Sequence, residues 1–556
     1  MNAEQALKEV FETFEPEVLI NFFRTIGVST FSSVKENFKV IEADSTLFET
    51  PSLLGKIKLE NEDELAVFTV KVVKSLTERS GKKAQYELAK KILKTENRYP
   101  GGIFIFHDDK NDLRFSLIYN IPQATGKRDW SNFRRYTYYL SKDQTNKTFL
   151  QQITHADFSS VEKLTEAFSV EKVTKAFYSE LQNWYFWAMN MVEFPDDEDN
   201  DRNRRNAKNL IRLITRIIFI WFMKEKRLIP SELFEKSTID SLLNYNDKTG
   251  STYYKAILQN LFFATLNTPM RKDDPKSRIF IEDAKRYGFK NDGYLQQGYY
   301  RYSRFIKDKE EFLKVYENIP FLNGGLFECL DKKIDDSKEV RIDCFSDYPK
   351  NETRLKVPDE IFFCEEEVEA NLSAFLGNNN KRKVRGLLPI LKSYNFTTDE
   401  NTPVDEEIAL DPELLGKVFE NLLASYNPET ATTARKATGS YYTPREIVDY
   451  MVTESLVMHL ANTLGDDPAT IEKLKRLFSY SDDTNPFNAE ETERIISSIE
   501  KIKILDPACG SGAFPMGILH KLVLALHKLD PQNTKWKKRL IESVPPELQM
   551  EVEKSL

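Results

Sequence analysis

The run of residues 504–514, Ile-Leu-Asp-Pro-Ala-Cys-Gly-Ser-Gly-Ala-Phe, constrains the fold of this chain more than any other feature. An extended apolar segment, Lys501–Leu505, leads into it, and apolar residues at helical spacing follow from Phe514. Gly510 and Gly512 have no Cβ, so they tolerate positive φ and let a ligand approach the backbone beside a helix N-terminus. The pattern predicts a strand, a ligand-binding glycine loop and a helix. It has neither the Lys-Ser/Thr of a P-loop nor G-x-G-x-x-G spacing.

A second segment, residues 439–448, reads Gly-Ser-Tyr-Tyr-Thr-Pro-Arg-Glu-Ile-Val. Thr443 is a favourable N-cap and Pro444 is favourable at the first helical position. We therefore predict that a helix begins here, with an apolar face that includes Val448.

The Asp-Pro-Ala-Cys-Gly-Ser-Gly string resembles motif I of amino-methylating DNA methyltransferases, the S-adenosylmethionine (SAM) loop, and residues 439–444 resemble their motif X. In that family the acidic residue contacts the methionine part of SAM, the glycines make room for it, and the motif X helix start closes over the methionine carboxylate. Motif X before motif I is the order of the gamma-type enzymes, most of which methylate the exocyclic amine of adenine. The cofactor-binding residues that the resemblance implies are Tyr442, Thr443, Pro444, Asp506, Pro507, Ala508, Cys509, Gly510, Ser511, Gly512 and Phe514.

The catalytic motif of this family, (Asn/Asp/Ser)-Pro-Pro-(Tyr/Phe), does not occur in the sequence. In the family its polar residues accept hydrogen bonds from the target amine, and its aromatic ring stacks on the flipped-out base. Pro545-Pro546 is the only Pro-Pro pair, and Val544 and Glu547 flank it. We therefore expect no catalytic residue for methyl transfer in this chain. The resemblance implies the N-terminal part of a larger enzyme, inactive alone, whose missing C-terminal half carries the catalytic motif and the target-recognition domain.

Longer strings resemble fused restriction–modification enzymes of type IIG and their phage-defence relatives of the BREX type. They lie within Ile218–Pro230, Phe321–Glu328 and Asp411–Leu422. The resemblance implies a site-specific, adenine-specific DNA methyltransferase, with SAM as cofactor and double-stranded DNA as partner. One alternative is a type I modification subunit, which shares both motifs but lacks the long aromatic N-terminal half. Another is a non-catalytic DNA-binding remnant.

The chain reads as a multidomain α/β protein with three regions. Residues 1–125 are predicted to form an α/β nuclease-like domain, with a helix over 11–31, strands over 54–59, 65–73, 102–107 and 113–119, and a helix over 81–95. Residues 126–410 are predicted to be a mainly helical connector. Residues 411–556 are predicted to begin a Rossmann-like N6-adenine DNA methyltransferase domain.

The order of elements in the first region resembles restriction-endonuclease-like domains, in which two carboxylates beside a lysine hold Mg²⁺. Lys71 ends a predicted strand and is the nuclease candidate, but Thr69 stands where a carboxylate is expected. Nearby carboxylates at Glu60–Glu64 fall in a predicted turn. The site therefore reads as degenerate, or as a solvated strand end, and Mg²⁺ is expected only if the domain is an active nuclease.

The net charge of −8 excludes a generally basic nucleic-acid coat, so any DNA contact must be local. Basic stretches over 79–94, 128–135 and 381–385 either follow a phosphate backbone or are solvated faces. The four cysteines are widely spaced and form no metal pattern, which suits a reducing compartment. The sequence shows no signal peptide, and its most apolar helix, Leu210–Met223, is too short to span a bilayer. We predict a cytoplasmic protein with no membrane partner.

Overall fold

The computed structural model describes residues 2–36, 45–77, 81–122, 128–269, 278–286, 298–322, 325–334, 339–377, 379–398, 405–413, 416, 443–480, 484–510 and 512–555. They form an α/β protein with a seven-stranded mixed sheet and many helices, so the predicted fold class is confirmed. Within these ranges, no helix is both long enough and apolar enough to cross a membrane.

The helices are α1 (Ala3–Glu12), α2 (Pro16–Thr25), α3 (Lys82–Thr95), α4 (Lys147–Ile153), α5 (Val161–Thr165), α6 (Val170–Met191), α7 (Arg202–Glu225), α8 (Lys236–Leu242), α9 (Ile281–Arg286), α10 (Lys309–Tyr316), α11 (Glu360–Phe363), α12 (Ser373–Leu376), α13 (Leu387–Lys392), α14 (Arg445–Leu464), α15 (Pro468–Leu477), α16 (Ala489–Lys501), α17 (Ala513–Leu529), α18 (Thr534–Glu542) and α19 (Pro546–Ser555), with a π-helix at Tyr254–Leu266. The strands are β1 (Phe31–Glu36), β2 (Ser52–Lys58), β3 (Glu64–Lys71), β4 (Gly101–His107), β5 (Leu113–Pro122), β6 (Arg128–Leu140), β7 (Lys332–Lys333), β8 (Glu339–Val340), β9 (Val368–Asn371), β10 (Lys381–Val384) and β11 (Asp405–Glu407).

The large sheet has the strand order β1-β2-β3-β4-β5-β6-β11. β3 and β4 are parallel and are joined through α3, whereas β1 to β3 and β4 to β6 pair antiparallel. The predicted strands at β2, β3, β4 and β5 and the predicted helix at α3 are confirmed. The single helix predicted over 11–31 is wrong. Pro16 has no backbone N–H to continue a helix, so it starts the new helix α2, and β1 begins at Phe31.

β6 and β11 extend this sheet beyond the predicted boundary at residue 125. β6 lies in the region predicted to be helical, and it pairs with β5 along most of its length. β11, far away in sequence, pairs in parallel with β6 through Asp405–Glu407 opposite Arg135–Thr137. β11 is a strand through pairing with a distant segment, whereas β6 pairs with β5, its neighbour in sequence.

Two hydrophobic clusters cover the two faces of the sheet. One face packs with α3, through residues such as Ile92 and Phe104. The other face shares one large cluster with the middle helices, including α6 and α7, which the sequence predicts correctly. The π-helix lies wholly inside this cluster.

Residues 443–480, 484–510 and 512–555 form a helical body with its own hydrophobic cluster, drawn from α14, α15, α16 and α17. The strand predicted at Lys501–Leu505 is wrong, because Lys501 ends α16 and residues 502–506 belong to no strand. A strand exists only through pairing with a neighbour, and the described part of the chain places no strand beside this segment.

Candidate functional site

The glycine loop before α17 forms a tight turn. Asp506 Oδ1 accepts a hydrogen bond from Ala508 N at 3.0 Å, and Cys509 O accepts one from Gly512 N at 2.7 Å. Gly510 and Gly512 have φ of 51° and 87°, which only glycine adopts at little cost. Local backbone geometry therefore explains why glycine occupies both positions.

This loop is open to a ligand. Among the described residues, a Cβ on Gly512 would meet nothing within 4 Å, and one on Gly510 would meet only Ala508 O, at 3.8 Å. No side chain in the described part of the chain caps the N-terminus of α17, so its first N–H groups can bind an anionic or polar group. Asp506 Oδ2 is buried and has no hydrogen-bond partner among the described residues. A buried oxygen of this kind can accept a hydrogen bond from a donor group of a ligand.

The predicted cofactor residues differ in exposure. Asp506, Gly512 and Phe514 are half-buried, and Phe514 packs against the cluster of the helical body. The exposed ones are Thr443, Pro444, Pro507, Ala508, Cys509 and Gly510. Tyr442 and Ser511 lie outside the described residues.

The helix after the second segment begins one residue later than predicted. α14 starts at Arg445, so Pro444 is the N-cap instead of Thr443, and no side chain accepts a capping hydrogen bond. A difference of one residue is ordinary at a helix end. Thr443 Oγ1 therefore does not cap the helix.

The helices that follow the two segments pack against each other near their N-termini. A Cβ on Gly517 of α17 would lie 2.6 Å from Val448 Cγ1 and 3.5 Å from Val452 Cγ2 of α14. Val448 is four residues beyond Pro444, and Gly517 is five residues beyond Gly512. Two segments that are about seventy residues apart in sequence are thus joined by a close helix contact.

A buried lysine lies beside this contact. Lys521 Nζ lies 2.8 Å from Asp449 Oδ1, donates to Phe478 O at 2.9 Å, and sits 4.0 Å from the centre of the Tyr480 ring. Burial lowers the pKa of Lys521, against the opposing effect of the hydrogen bond to Asp449. Sequence reasoning missed Gly517 and Lys521. A glycine within a helical pattern was the available signal, because it often marks close packing.

Lys71, the predicted nuclease candidate, lies at the end of β3 between two carboxylates. Its Nζ is 3.0 Å from Glu49 Oε1 and 3.0 Å from Asp109 Oδ1. The hydrogen bonds to Asp109 and then to Glu49 raise the pKa of Lys71. Burial lowers the pKa of the neighbouring His107 to about 4. Among the described residues, no group of three or more His, Cys, Asp or Glu side chains could hold a metal ion.

Several cations that were candidates for phosphate contact are paired inside the protein. Arg135 is 1% exposed and holds the Asp405 carboxylate with two nitrogens, and its Nε–Oδ1 distance is 2.8 Å. Lys82 Nζ lies 2.5 Å from Glu407 Oε2. For these two residues the interpretation as phosphate-tracking cations is wrong, because they bind the carboxylates of β11.

The third basic stretch, in β10 and just beyond it, faces carboxylates in the same way. Lys381 pairs with Glu369 at 2.8 Å. Arg385 pairs with Glu180 of α6 at 2.6 Å. A carboxylate already compensates these charges, so the stretch does not form a bare basic patch.

Comparisons with known proteins give one informative relative. No family model matches the chain, and no solved structure matches it. The chain is 25% identical over 332 residues to a protein of Methanocaldococcus jannaschii named "Putative type II restriction enzyme and methyltransferase". The match covers 56% of this chain and 20% of the relative, so the chain spans about a fifth of that protein's length.

Proposed function

We propose that this chain is the cofactor-binding part of a restriction–modification enzyme that methylates adenine N6 in double-stranded DNA with SAM. The name of the M. jannaschii relative supports a function related to restriction and modification. The two sequence motifs support the finer assignment to a type IIG-like, adenine-specific methyltransferase.

One observation carries the proposal. The contact between Gly517 and Val448 joins the first two turns of the two helices that follow the two predicted cofactor segments. A cofactor that touches both segments needs such a contact, because the segments are far apart in sequence.

The residues of the loop fit SAM chemically. SAM carries an ammonium group and ribose hydroxyls that can donate to the orphaned Asp506 Oδ2. The open loop at Gly510 and Gly512 leaves room for a nucleoside against the backbone. When bound, SAM supplies an already activated methyl group. The role of this chain is then to bind and orient it, so proximity and orientation matter more than proton transfer.

Binding of SAM to the purified chain, measured by isothermal titration calorimetry, tests the proposal. Gly512→Val should weaken binding by about tenfold or more, because a side chain at positive φ distorts the loop. Gly377→Val is the matched control. Gly377 has φ of 88° and open space around a Cβ, as Gly512 does, but it lies in the middle region.

Asp506→Ala should also weaken binding by about tenfold, through loss of the carboxylate acceptor. Equal affinity of the wild type, Gly512→Val and Asp506→Ala would remove the cofactor assignment. A chain that binds DNA but not SAM would instead support the non-catalytic remnant. A requirement for a separate specificity subunit would favour a type I modification subunit.

A further inference from the structure

Lys521 of α17 is a buried lysine at the point where α17 meets α14 and the end of α15. Its side chain is 3% exposed, and its Nζ lies 2.8 Å from Asp449 Oδ1 on α14. The same nitrogen donates to Phe478 O, just after α15, at 2.9 Å and lies 4.0 Å from the centre of the Tyr480 ring. One ammonium group therefore joins α17 to two other helices of the body.

This ion pair lies beside the close contact of the same two helices. Asp449 follows Val448 in α14, and Lys521 is one helical turn beyond Gly517 in α17. Both Asp449 and Lys521 fall within the first three turns of their helices. The close contact and the ion pair are thus near the helix ends that carry the two predicted cofactor segments.

The two contacts constrain different movements of the helices. Apolar packing between Gly517 and Val448 limits how closely the helices approach, but it is non-directional. The ammonium of Lys521 bonds a carboxylate and a carbonyl at once, which only a narrow range of helix rotations and translations allows. Buried ion pairs often add little net stability, and their best-attested role is to specify register. The pair is therefore suited to fixing the register of α17 on α14.

A second buried lysine of α17 provides a comparison. Lys528 is 4% exposed and lies about 10 Å further along α17 from the glycine loop. Its Nζ donates to Ser479 O and, at 3.2 Å, to Arg476 O, at the end of α15. Lys528 thus joins α17 to the end of α15, as Lys521 does, but further from the cofactor segments.

We propose that Lys521 and Asp449 form a positioning pair for the cofactor site, which holds the glycine loop and the start of α14 in the register that SAM requires. The inference rests on the proposed function, because SAM is the ligand that would span the two segments. The pair acts through α14 and α17, whose first residues adjoin the segments, and not by contact with SAM.

Isothermal titration calorimetry of SAM with the full chain tests the proposal. The double variant Lys521→Met, Asp449→Leu replaces the ion pair by apolar side chains of similar size, and it should weaken SAM binding by about tenfold or more. Asp449→Glu keeps a carboxylate on a side chain that is 29% exposed, and it should bind SAM within about threefold of the wild type.

Lys528→Met is the matched control, because it also removes a buried ammonium that donates to the end of α15. It should leave SAM affinity within about threefold of the wild type. The urea midpoint of the double variant should fall no further than that of Lys528→Met. A role in stability alone would instead lower the midpoint and leave the affinity of the folded chain unchanged.

A second measurement reports the register without SAM. Nitroxide labels on Cys509 and on Thr443→Cys, both exposed positions, give the distance between the two segments by dipolar EPR spectroscopy. Cys364→Ser removes the partly exposed cysteine, and the other two cysteines are buried. The double variant should broaden the distance distribution, whereas Lys528→Met should leave it as in the wild type.

Several results would overturn the proposal. They are an unchanged SAM affinity in the double variant, an equal loss of affinity in Lys528→Met, and a loss in Asp449→Glu as large as that in the double variant. If the wild type does not bind SAM, the proposed function fails, and the EPR distances then decide the role of the pair. An unchanged distance distribution in the double variant would show that Lys521 and Asp449 do not set the register.

Discussion

A double substitution at the helix contact tests the geometry on which the cofactor assignment depends. A Cβ on Gly517 would lie 2.6 Å from Val448 Cγ1, whereas carbon atoms in good contact lie ~3.5–4.0 Å apart. Gly517→Ala therefore requires a shift of about 1 Å, either of the two helices or of the Val448 side chain, whose χ1 is stiff in a helix. Overpacking of this kind costs about 1–3 kcal/mol. Alanine has a higher helix propensity than glycine, which offsets up to about 1 kcal/mol of this loss. The net decrease in the free energy of unfolding is therefore about 1 kcal/mol.

Val448→Ala removes two methyl groups from a side chain that is 6% exposed, which costs about 2 kcal/mol. In the double variant the alanine Cβ at position 517 enters the space that the valine leaves. We expect a total cost that is about 1 kcal/mol or more below the sum of the single costs. Hydrogen–deuterium exchange of α14 and α17 measures the local opening free energies.

Met458→Ala on α14 is the control, because Met458 is 62% exposed and does not line the contact with Gly517. The change in opening free energy caused by Met458→Ala should add to the change caused by Gly517→Ala. If the Gly517 and Val448 substitutions are also additive within about 0.5 kcal/mol, the helices do not meet at these residues. The argument for a shared cofactor site would then fail.

Three further predictions concern the sheet and the middle region. Asp405→Ala leaves the buried guanidinium of Arg135 without its carboxylate and should lower the free energy of unfolding by about 3 kcal/mol in urea; no change would mean that the pair is dispensable. Lys71→Gln should leave the urea midpoint unchanged, because its ion pairs are solvated; a large drop would contradict this. Burial raises the pKa of Asp359 to about 7 from an ordinary 3.8. Between these pH values the carboxyl group is protonated in the folded protein and ionised in the unfolded one. The free energy of unfolding therefore falls as pH rises from about 4 to 7. Asp359→Asn should remove that slope from thermal denaturation curves recorded across the window, and an unchanged slope would assign it to other groups.

Local pattern predicted the elements whose own residues decide their conformation. β2 to β5 have short apolar runs bounded by turns, and α6 and α7 have long apolar stripes, so their existence and approximate bounds followed from periodicity. The glycine loop was also predictable, because positive φ at Gly510 and Gly512 is a local requirement.

Elements that depend on distant partners were not predictable in this way. β11 is a strand because it pairs with β6, about 270 residues earlier in the chain. β6 was included in the region predicted to be helical, although it pairs with its sequence neighbour β5. Lys501–Leu505, in contrast, was predicted to be a strand and is not one. Its composition suits a strand, but no strand lies beside it in the described part of the chain. The ion pairs of Arg135 and Lys82 join residues about 270 and 325 positions apart, a separation at which composition carries no information.

The ion pairs of β11 also bear on how the regions of the chain are connected. β11 is the last strand before residue 411, where the predicted methyltransferase region begins, and it is only three residues long. So short a strand gains little from its own backbone pairing. Arg135 and Lys82 supply much of its attachment, since both are largely buried and both bind carboxylates of β11. The N-terminal sheet therefore fixes the point at which the chain leaves for its C-terminal region. Two cations for which the sequence left DNA contact open instead bind carboxylates of the protein's own strand β11.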